Sequence, residues 1–142
     1  MRATPRNRLC ASVYDPSRRE RILLERANQL ALQSPARNYM FGAIVVKSGR
    51  IVSTGTNNPQ KTHPRAGYPR RIHAEIQVLL GTDDLKGATM YLVRVTNGGK
   101  EALSKPCQNC LREIKKSGLK SVIFSMGKGE YGKIDLRDVA PN

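Results

Sequence analysis

The chain has 142 residues, enough for one domain with a substantial core and too few for a separate recognition module. Its 25 Lys and Arg against 11 Asp and Glu give a formal net charge of +14, which favours anionic partners such as nucleotides, nucleic acid or phosphate. No apolar run reaches the length of a membrane helix, and residues 1–6 lack the apolar core of a signal peptide. We therefore expect a cytoplasmic protein without membrane association.

The beginning of the chain divides into an arm and a helix. Residues 1–15 carry Arg2, Arg6 and Arg8 and predict a basic N-terminal arm, followed by a single domain over residues 16–142. From Pro16 onward, apolar residues recur at helical spacing until Ser34 and Pro35. The opposite face carries Arg18, Arg19, Glu20, Arg21, Glu25 and Arg26. This face is most simply solvated, and contact with nucleic acid is the alternative.

Apolar runs and turn residues predict the remaining elements. Residues 41–47 and 50–57 form a hairpin around Ser48 and Gly49, and a long polar loop over residues 58–72 leads into a helix that ends at Gly81. A strand over residues 88–95, a flexible loop over 96–105, a helix over 107–118 and a strand over 119–125 follow. This order indicates a parallel crossover, and a short return then gives an antiparallel last strand over 131–139.

Two short motifs carry the chemistry. His73-Ala74-Glu75 opens the first of these two helices, and Pro106-Cys107-Gln108-Asn109-Cys110 opens the second. An imidazole and two thiolates suit zinc, and three protein ligands leave a fourth position open, as in catalytic sites. Glu75 could then move protons. Alone, the cysteine pair could equally be half of a structural zinc site or a redox pair, although no second C-x-x-C completes a four-cysteine site.

The combination of H-A-E with P-C-x-x-C resembles the zinc-dependent cytidine and deoxycytidylate deaminase superfamily, which includes tRNA adenosine deaminases. The resemblance extends from about residue 41 to about residue 125. It implies an α/β fold, a three-layer α/β/α sandwich with a mixed five-stranded sheet. It also implies one zinc ion per chain held by His73, Cys107 and Cys110, Glu75 as general acid and base, and a homo-oligomer.

Substrate contacts are expected at positions around these motifs. Asn57 stands where the family has the asparagine of a G-x-N segment, which implies a hydrogen bond to base or sugar; otherwise it is a turn residue. Ala74 and Pro106, which belong to the two motifs, are also expected to bind the substrate. The loop before His73 has no acidic residue, and it either holds a substrate phosphate or is merely solvated. Its candidate substrate-binding residues are Lys61, His63, Arg65, Tyr68 and Arg70.

The sequence leaves the substrate open. A terminal hairpin is similar to the branch that acts on free cytidine, whereas H-A-E is similar to the deoxycytidylate and tRNA adenosine group. The compact chain favours a free cytosine nucleoside or nucleotide, such as cytidine, deoxycytidine or their monophosphates. The charge of +14 favours the alternative, a deaminase of cytosine or adenine in single-stranded DNA or RNA. A third hypothesis is an inactive deaminase fold that binds nucleic acid.

Overall fold

The computed structural model describes residues 12–35, 40–57, 84–106 and 108–138. The helix predicted to carry His73 and Glu75, and the basic loop before it, lie outside these ranges. Within them, one sheet is covered by a helix on each face, which confirms the predicted α/β class. In this part of the chain no helix is both long and apolar enough to span a membrane.

The sheet is mixed. Its strands are β1 (Ser12–Tyr14), β2 (Met40–Lys47), β3 (Arg50–Thr56), β4 (Thr89–Val95), β5 (Glu101–Ala102), β6 (Ser121–Gly127) and β7 (Glu130–Asp135). They lie in the order β1-β7-β6-β4-β2-β3, with β5 pairing to β4. Only β4 and β6 are parallel among these pairs, and β7 is antiparallel to β6 as predicted. The described residues contain seven strands instead of five, because the three-residue β1 and the two-residue β5 were not predicted.

The central strand β4 separates two hydrophobic cores. Successive side chains of a strand point to opposite faces. Met90 and Leu92 therefore join the cluster under α2 (Gln108–Lys116), whereas Tyr91 and Val93 join the cluster under α1 (Arg18–Leu32). Because β4 is buried on both faces, its sequence is almost continuously apolar rather than alternating.

The start of α1 is fixed by a capping box. The hydroxyl of Ser17 accepts a hydrogen bond from the amide of Glu20 (3.1 Å), and the Glu20 carboxylate accepts one from the amide of Ser17 (2.9 Å). One face of the helix buries Leu24, Ala27 and Ala31 against the sheet. The predicted first helix is thus confirmed, with its last residue at Leu32, just before Ser34 and Pro35.

Glu20 does not belong to the solvated face on which the sequence analysis placed it. Its carboxylate accepts hydrogen bonds from the hydroxyls of Tyr14 (2.7 Å) and Tyr91 (3.2 Å). Burial raises the pKa of Glu20, but the hydrogen bonds from Ser17, Tyr14 and Tyr91 together outweigh it and hold the pKa below its usual value. The carboxylate therefore ties β1 and β4 to the start of α1.

A second carboxylate ties the middle of α1 to β5 and β7. Glu101 on β5 accepts hydrogen bonds from the side-chain amide of Asn28 (2.9 Å) and the hydroxyl of Tyr131 on β7 (2.9 Å). The segment over residues 96–105, predicted as a flexible loop, therefore contains a short strand held by partly buried hydrogen bonds.

The predicted N-terminal arm includes β1, which belongs to the sheet. Residues 12–14 fall within the basic arm predicted over residues 1–15, yet they pair in register with β7, with Tyr14 opposite Tyr131. The remainder of the arm lies outside the described residues, and the division at residue 15 stays a prediction.

Candidate active site

The segment leading to the cysteine motif is wedged between two central strands. β4 pairs with β6 as far as Leu92, whereas Arg94 and Val95 pair with β5 instead. Leu103 then forms a bridge with Met126 at the end of β6. Residues 101–104 therefore fill the gap where the two parallel strands separate, at the carboxyl end of both. This is the edge from which the chain continues to Pro106 and Cys107.

Two buried serines hold this segment in place. The Ser104 hydroxyl donates to the carbonyl of Leu92 (3.0 Å) or of Ser125 (3.2 Å) and accepts from the Ser125 amide (2.9 Å). The Ser125 hydroxyl donates to the carbonyl of Ala102 (2.6 Å) and lies 2.9 Å from the Ser104 hydroxyl. Both serines are at most 1% exposed. They satisfy backbone groups that the separation of β4 and β6 would otherwise leave without partners.

Cys110 lies in the first turn of α2 and is completely buried. The first turn of this helix contains no acidic residue, and its last turn carries Lys115 and Lys116. The positive end of the helix dipole at this first turn favours the thiolate form of a cysteine. Pro106, which precedes the helix, is also buried.

Asn57 directly follows β3 and closes the same end of the sheet. Its side-chain oxygen accepts hydrogen bonds from the Phe41 amide (2.9 Å) and the Ser34 hydroxyl (2.7 Å). The same hydroxyl also lies within hydrogen-bond distance of the Asn57 carbonyl (3.0 Å). These contacts fix the orientation of the carboxamide oxygen. Phe41 pairs with Arg94, so Asn57 and the Ser104 segment lie at the same end of the sheet.

Most predicted site residues lie outside the described part of the chain. These are His73, Ala74, Glu75, Cys107, Lys61, His63, Arg65, Tyr68 and Arg70. Of the predicted site, the structure therefore places Asn57, Pro106 and Cys110. Their roles stay predictions, because the other proposed ligands and Glu75 lie outside the described residues.

The residues of the motif nevertheless fit a zinc ion by their chemistry. A buried thiol in the first turn of a helix, a second cysteine three positions earlier and a histidine are the donor types that zinc prefers.

The sequence over residues 17–126 matches the family model described as the cytidine and deoxycytidylate deaminase zinc-binding region. The chain belongs to this deaminase family. The match spans most of the chain, from the start of α1 to near the end of β6, so it includes the elements that support the motifs as well as the motifs themselves.

A curated relative and solved structures agree with this membership. The chain is 30% identical over 121 residues to the deoxycytidylate deaminase of Mycobacterium phage D29, an alignment covering 69% of this chain and 87% of that protein. The dCMP deaminase of cyanophage S-TIM5 in its apo form has a TM-score of 0.62 at 22% identity, over 81% of this chain and 88% of that chain. Its complex with dCMP and dUMP gives a TM-score of 0.60 at 23% identity, over 78% and 83%.

The fold is also shared with a cytidine deaminase. The enzyme from Mycobacterium tuberculosis has a TM-score of 0.55 at 22% identity, over 87% of this chain and 94% of that chain. Membership of the deaminase family makes this chain a hydrolytic deaminase of the nucleoside and nucleotide class.

Sequence reasoning missed the residues that support the motifs. Ser34, Ser104 and Ser125 were not singled out, although each anchors a backbone group at this end of the sheet. Ser125 carried a signal, since it is a hydroxyl residue at the end of the apolar run Val122-Ile123-Phe124. A polar residue in such a run is usually hydrogen-bonded within the core.

Proposed function

We propose that the protein is a zinc-dependent hydrolase that converts the cytosine of a free nucleotide to uracil, with deoxycytidine monophosphate as its main substrate. The observation that carries the proposal is the 30% identity to a phage deoxycytidylate deaminase over 87% of that relative's length. The shared fold with a dCMP deaminase whose complex holds dCMP and dUMP supports the same substrate.

In this proposal His73, Cys107 and Cys110 hold one zinc ion per chain. Bound zinc supplies a Lewis acid that lowers the pKa of water to about 7, so that hydroxide is available at neutral pH. Cys110 contributes its sulfur from a buried helical turn, where the positive end of the helix dipole favours the negatively charged sulfur that zinc binds. Pro106 suits the position before this turn because it lacks an amide hydrogen that would need a partner.

Glu75 is the general acid and base. Its carboxylate accepts a proton from water as the oxygen attacks the amino-bearing C4 of cytosine, and returns it to the ring nitrogen. The second proton of the water reaches the amino group, the carbon–nitrogen bond breaks, and ammonia leaves. Water and cytosine thus give uracil and ammonia, with no oxidant or reductant required.

Other residues orient the nucleotide. Asn57 is held by Phe41 and Ser34 through its oxygen, and its side chain is assigned the contact to the base or sugar. Ala74 and Pro106 contact the base. The basic loop holds the phosphate, with Lys61, His63, Arg65 and Arg70 as candidate contacts and Tyr68 available to stack on the base.

The proposal is tested by ammonia release from a panel of substrates. Purified protein with measured zinc content is incubated with dCMP, deoxycytidine, CMP, cytidine, AMP and a single-stranded oligonucleotide containing cytosine. We expect about one zinc per chain and the highest kcat/KM with dCMP. Turnover of the oligonucleotide alone would overturn the proposal in favour of a nucleic-acid deaminase. Absence of all turnover in zinc-loaded protein would favour an inactive fold.

The role of Glu75 is tested by Glu75→Ala in the same assay. Removing the carboxylate leaves the three proposed ligands in place, so we expect unchanged zinc content. Loss of the proton carrier should lower kcat by at least about a hundredfold, in the range typical of general acid–base catalysis. Loss of zinc in this variant would instead identify Glu75 as a ligand, and retained activity would exclude it from proton transfer.

A further inference from the structure

A groove lies between α1 and the β2–β3 hairpin, away from the candidate active site. It has a volume of about 620 Å³ and is lined by Arg19, Ile22, Leu23, Arg26, Val46, Gly49, Arg50 and Ile51. β2 borders the groove at Val46, whereas the Asn57 oxygen binds the Phe41 amide near the other end of the same strand. Five residues of strand separate the two positions by roughly 17 Å.

The rim of the groove is positively charged. Arg19, Arg26 and Arg50 are exposed and line it, and no carboxylate is among its described lining residues. The neighbouring acidic side chains are engaged elsewhere. Glu20 faces the sheet, Glu25 accepts a hydrogen bond from Gln29, and Asp15 pairs with Arg21 at 2.7 Å.

The guanidinium of Arg19 is held in place across one end of the groove. It donates a hydrogen bond of 2.7 Å to the carbonyl of Gly49 at the hairpin turn. This contact connects α1 to the hairpin and leaves the other donors of the guanidinium for an anion. Arginine at all three positions suits phosphate, because the planar fork binds two oxygens at once.

The floor of the groove is apolar and partly accessible. Ile22 is 59% exposed and Ile51 is 39% exposed, whereas most large apolar side chains of the described residues are buried. An apolar floor between arginines accommodates the sugars and base faces of a strand whose phosphates meet the rim.

We propose that this groove binds single-stranded nucleic acid through its sugar–phosphate backbone. The net charge of +14 attracts a polyanion of high charge density at long range, and three exposed arginines on a rim whose described lining residues include no carboxylate provide the local contacts. Because the groove lies at the other end of the sheet from Asn57, the bound strand is held by a surface separate from the proposed nucleotide site.

The test compares two triple variants that remove the same charge. The groove triple removes the three positive charges of the rim by Arg19→Gln, Arg26→Gln and Arg50→Gln. The lysine triple removes three exposed positive charges elsewhere by Lys86→Gln, Lys116→Gln and Lys120→Gln. Binding of a fluorescein-labelled oligothymidylate of about 20 nucleotides is measured by anisotropy across a salt series.

We expect the groove triple to lose at least tenfold in affinity and the lysine triple less than threefold. The slope of log affinity against log salt should decrease in magnitude by about two in the groove triple, since each phosphate contact on a single strand contributes about 0.7. Equal losses in the two triples would overturn the proposal in favour of diffuse attraction. Equally tight, groove-dependent binding of a labelled polyglutamate would overturn it in favour of an acidic protein partner.

Deamination of dCMP separates this inference from the proposed function. The groove triple should keep the wild-type kcat/KM for dCMP while it loses oligonucleotide binding. If the groove triple does not fold, a double variant, Arg26→Glu with Arg50→Glu, takes its place. It reverses two charges of the rim and keeps the contact between Arg19 and Gly49. Unchanged oligonucleotide affinity in this folded double variant would also overturn the proposal.

Discussion

Gly42 shows how closely α1 approaches the sheet. A Cβ atom built on this residue would lie 2.1 Å from the carbonyl oxygen of Ala27 and 2.6 Å from the amide nitrogen of Ala31. Both atoms belong to the helix backbone, which cannot move without displacing the helix. The small residues Gly42, Ala27 and Ala31 are therefore what allows the helix and strand to make contact through their backbones.

Replacement of Gly42 by alanine should destabilise the protein. We expect Gly42→Ala to lower the free energy of unfolding by about 1–3 kcal/mol, because the new methyl group forces the helix away from the sheet. Urea denaturation followed by circular dichroism measures this change. Gly98→Ala is the matched control, since its Cβ would meet only the Thr96 hydroxyl at 3.9 Å, and its stability should stay within about 1 kcal/mol of wild type. Equal effects in the two variants would show that the close contact does not limit stability.

The Ser104–Ser125 pair acts at the scale of elements, since it joins β4, β5 and β6 ahead of the cysteine motif. Ser104→Ala leaves the buried Ser125 amide without its acceptor and should cost about 1–3 kcal/mol of stability. If the segment positions Cys107 and Cys110 for zinc, the variant should also bind zinc about tenfold more weakly, as is typical when groups that orient ligands are lost.

Competition with a chromogenic chelator measures this zinc affinity. The control is Ser117→Ala, which removes a hydrogen bond of 2.5 Å to the Ile114 carbonyl at the far end of α2. The control should keep wild-type zinc affinity even where its stability decreases. Unchanged zinc affinity in folded Ser104→Ala would assign the serine pair a purely structural role.

The contact between Tyr131 and Glu101 predicts a dependence of stability on alkaline pH. Burial and the hydrogen bond to the Glu101 carboxylate raise the pKa of Tyr131 to about 12 from its ordinary value of 10. Because the pKa is higher in the folded state, the tyrosine contributes its full stability below pH 10. That contribution is lost as the pH rises from 10 towards 12.

Tyr131→Phe should remove part of this dependence. We expect the variant to be about 1 kcal/mol less stable at pH 8, a value reduced because the pair is only partly buried. Its stability should then fall less than that of wild type between pH 9 and pH 11. Urea denaturation at both pH values measures the difference. A variant that loses as much stability as wild type over this interval would contradict the assignment to Tyr131.

For the molecule as a whole, the sequence predicted the elements that follow local rules. The α1 helix begins next to Ser17 and repeats its apolar face, and the first hairpin turns at Ser48 and Gly49, both with positive φ. The fully buried β4 was evident from its apolar run, and the last strand pairs antiparallel after a short return. These features depend on residues that are close in the chain.

The features that were not predicted depend on residues far apart. β1 and β5 are too short to show an alternating pattern and exist because β7 and β4 accept them. Glu20 resembled its exposed neighbours in the sequence, and its hydrogen bond from Tyr91, 71 positions later, depends on the packing of α1 against β4. The motif residues were recognised by their spacing, but the serines that hold Pro106 and its segment become evident only once the strands are paired.

The predicted homo-oligomer stays a prediction, which sedimentation equilibrium would check.

The pairing of β1 with β7 affects how the chain acquires its fold during synthesis. β1 is made before every other described element, yet its partner is the last strand, with Ser12 opposite Lys133. A protein is made from its N-terminus, so β1 stays without this pairing until β7 has been translated. The contact of the Lys133 ammonium with the Tyr14 ring, 4.9 Å from the ring centre, also forms only after β7 has been translated. A nascent chain stalled before residue 130 therefore still exposes its first strand to proteases.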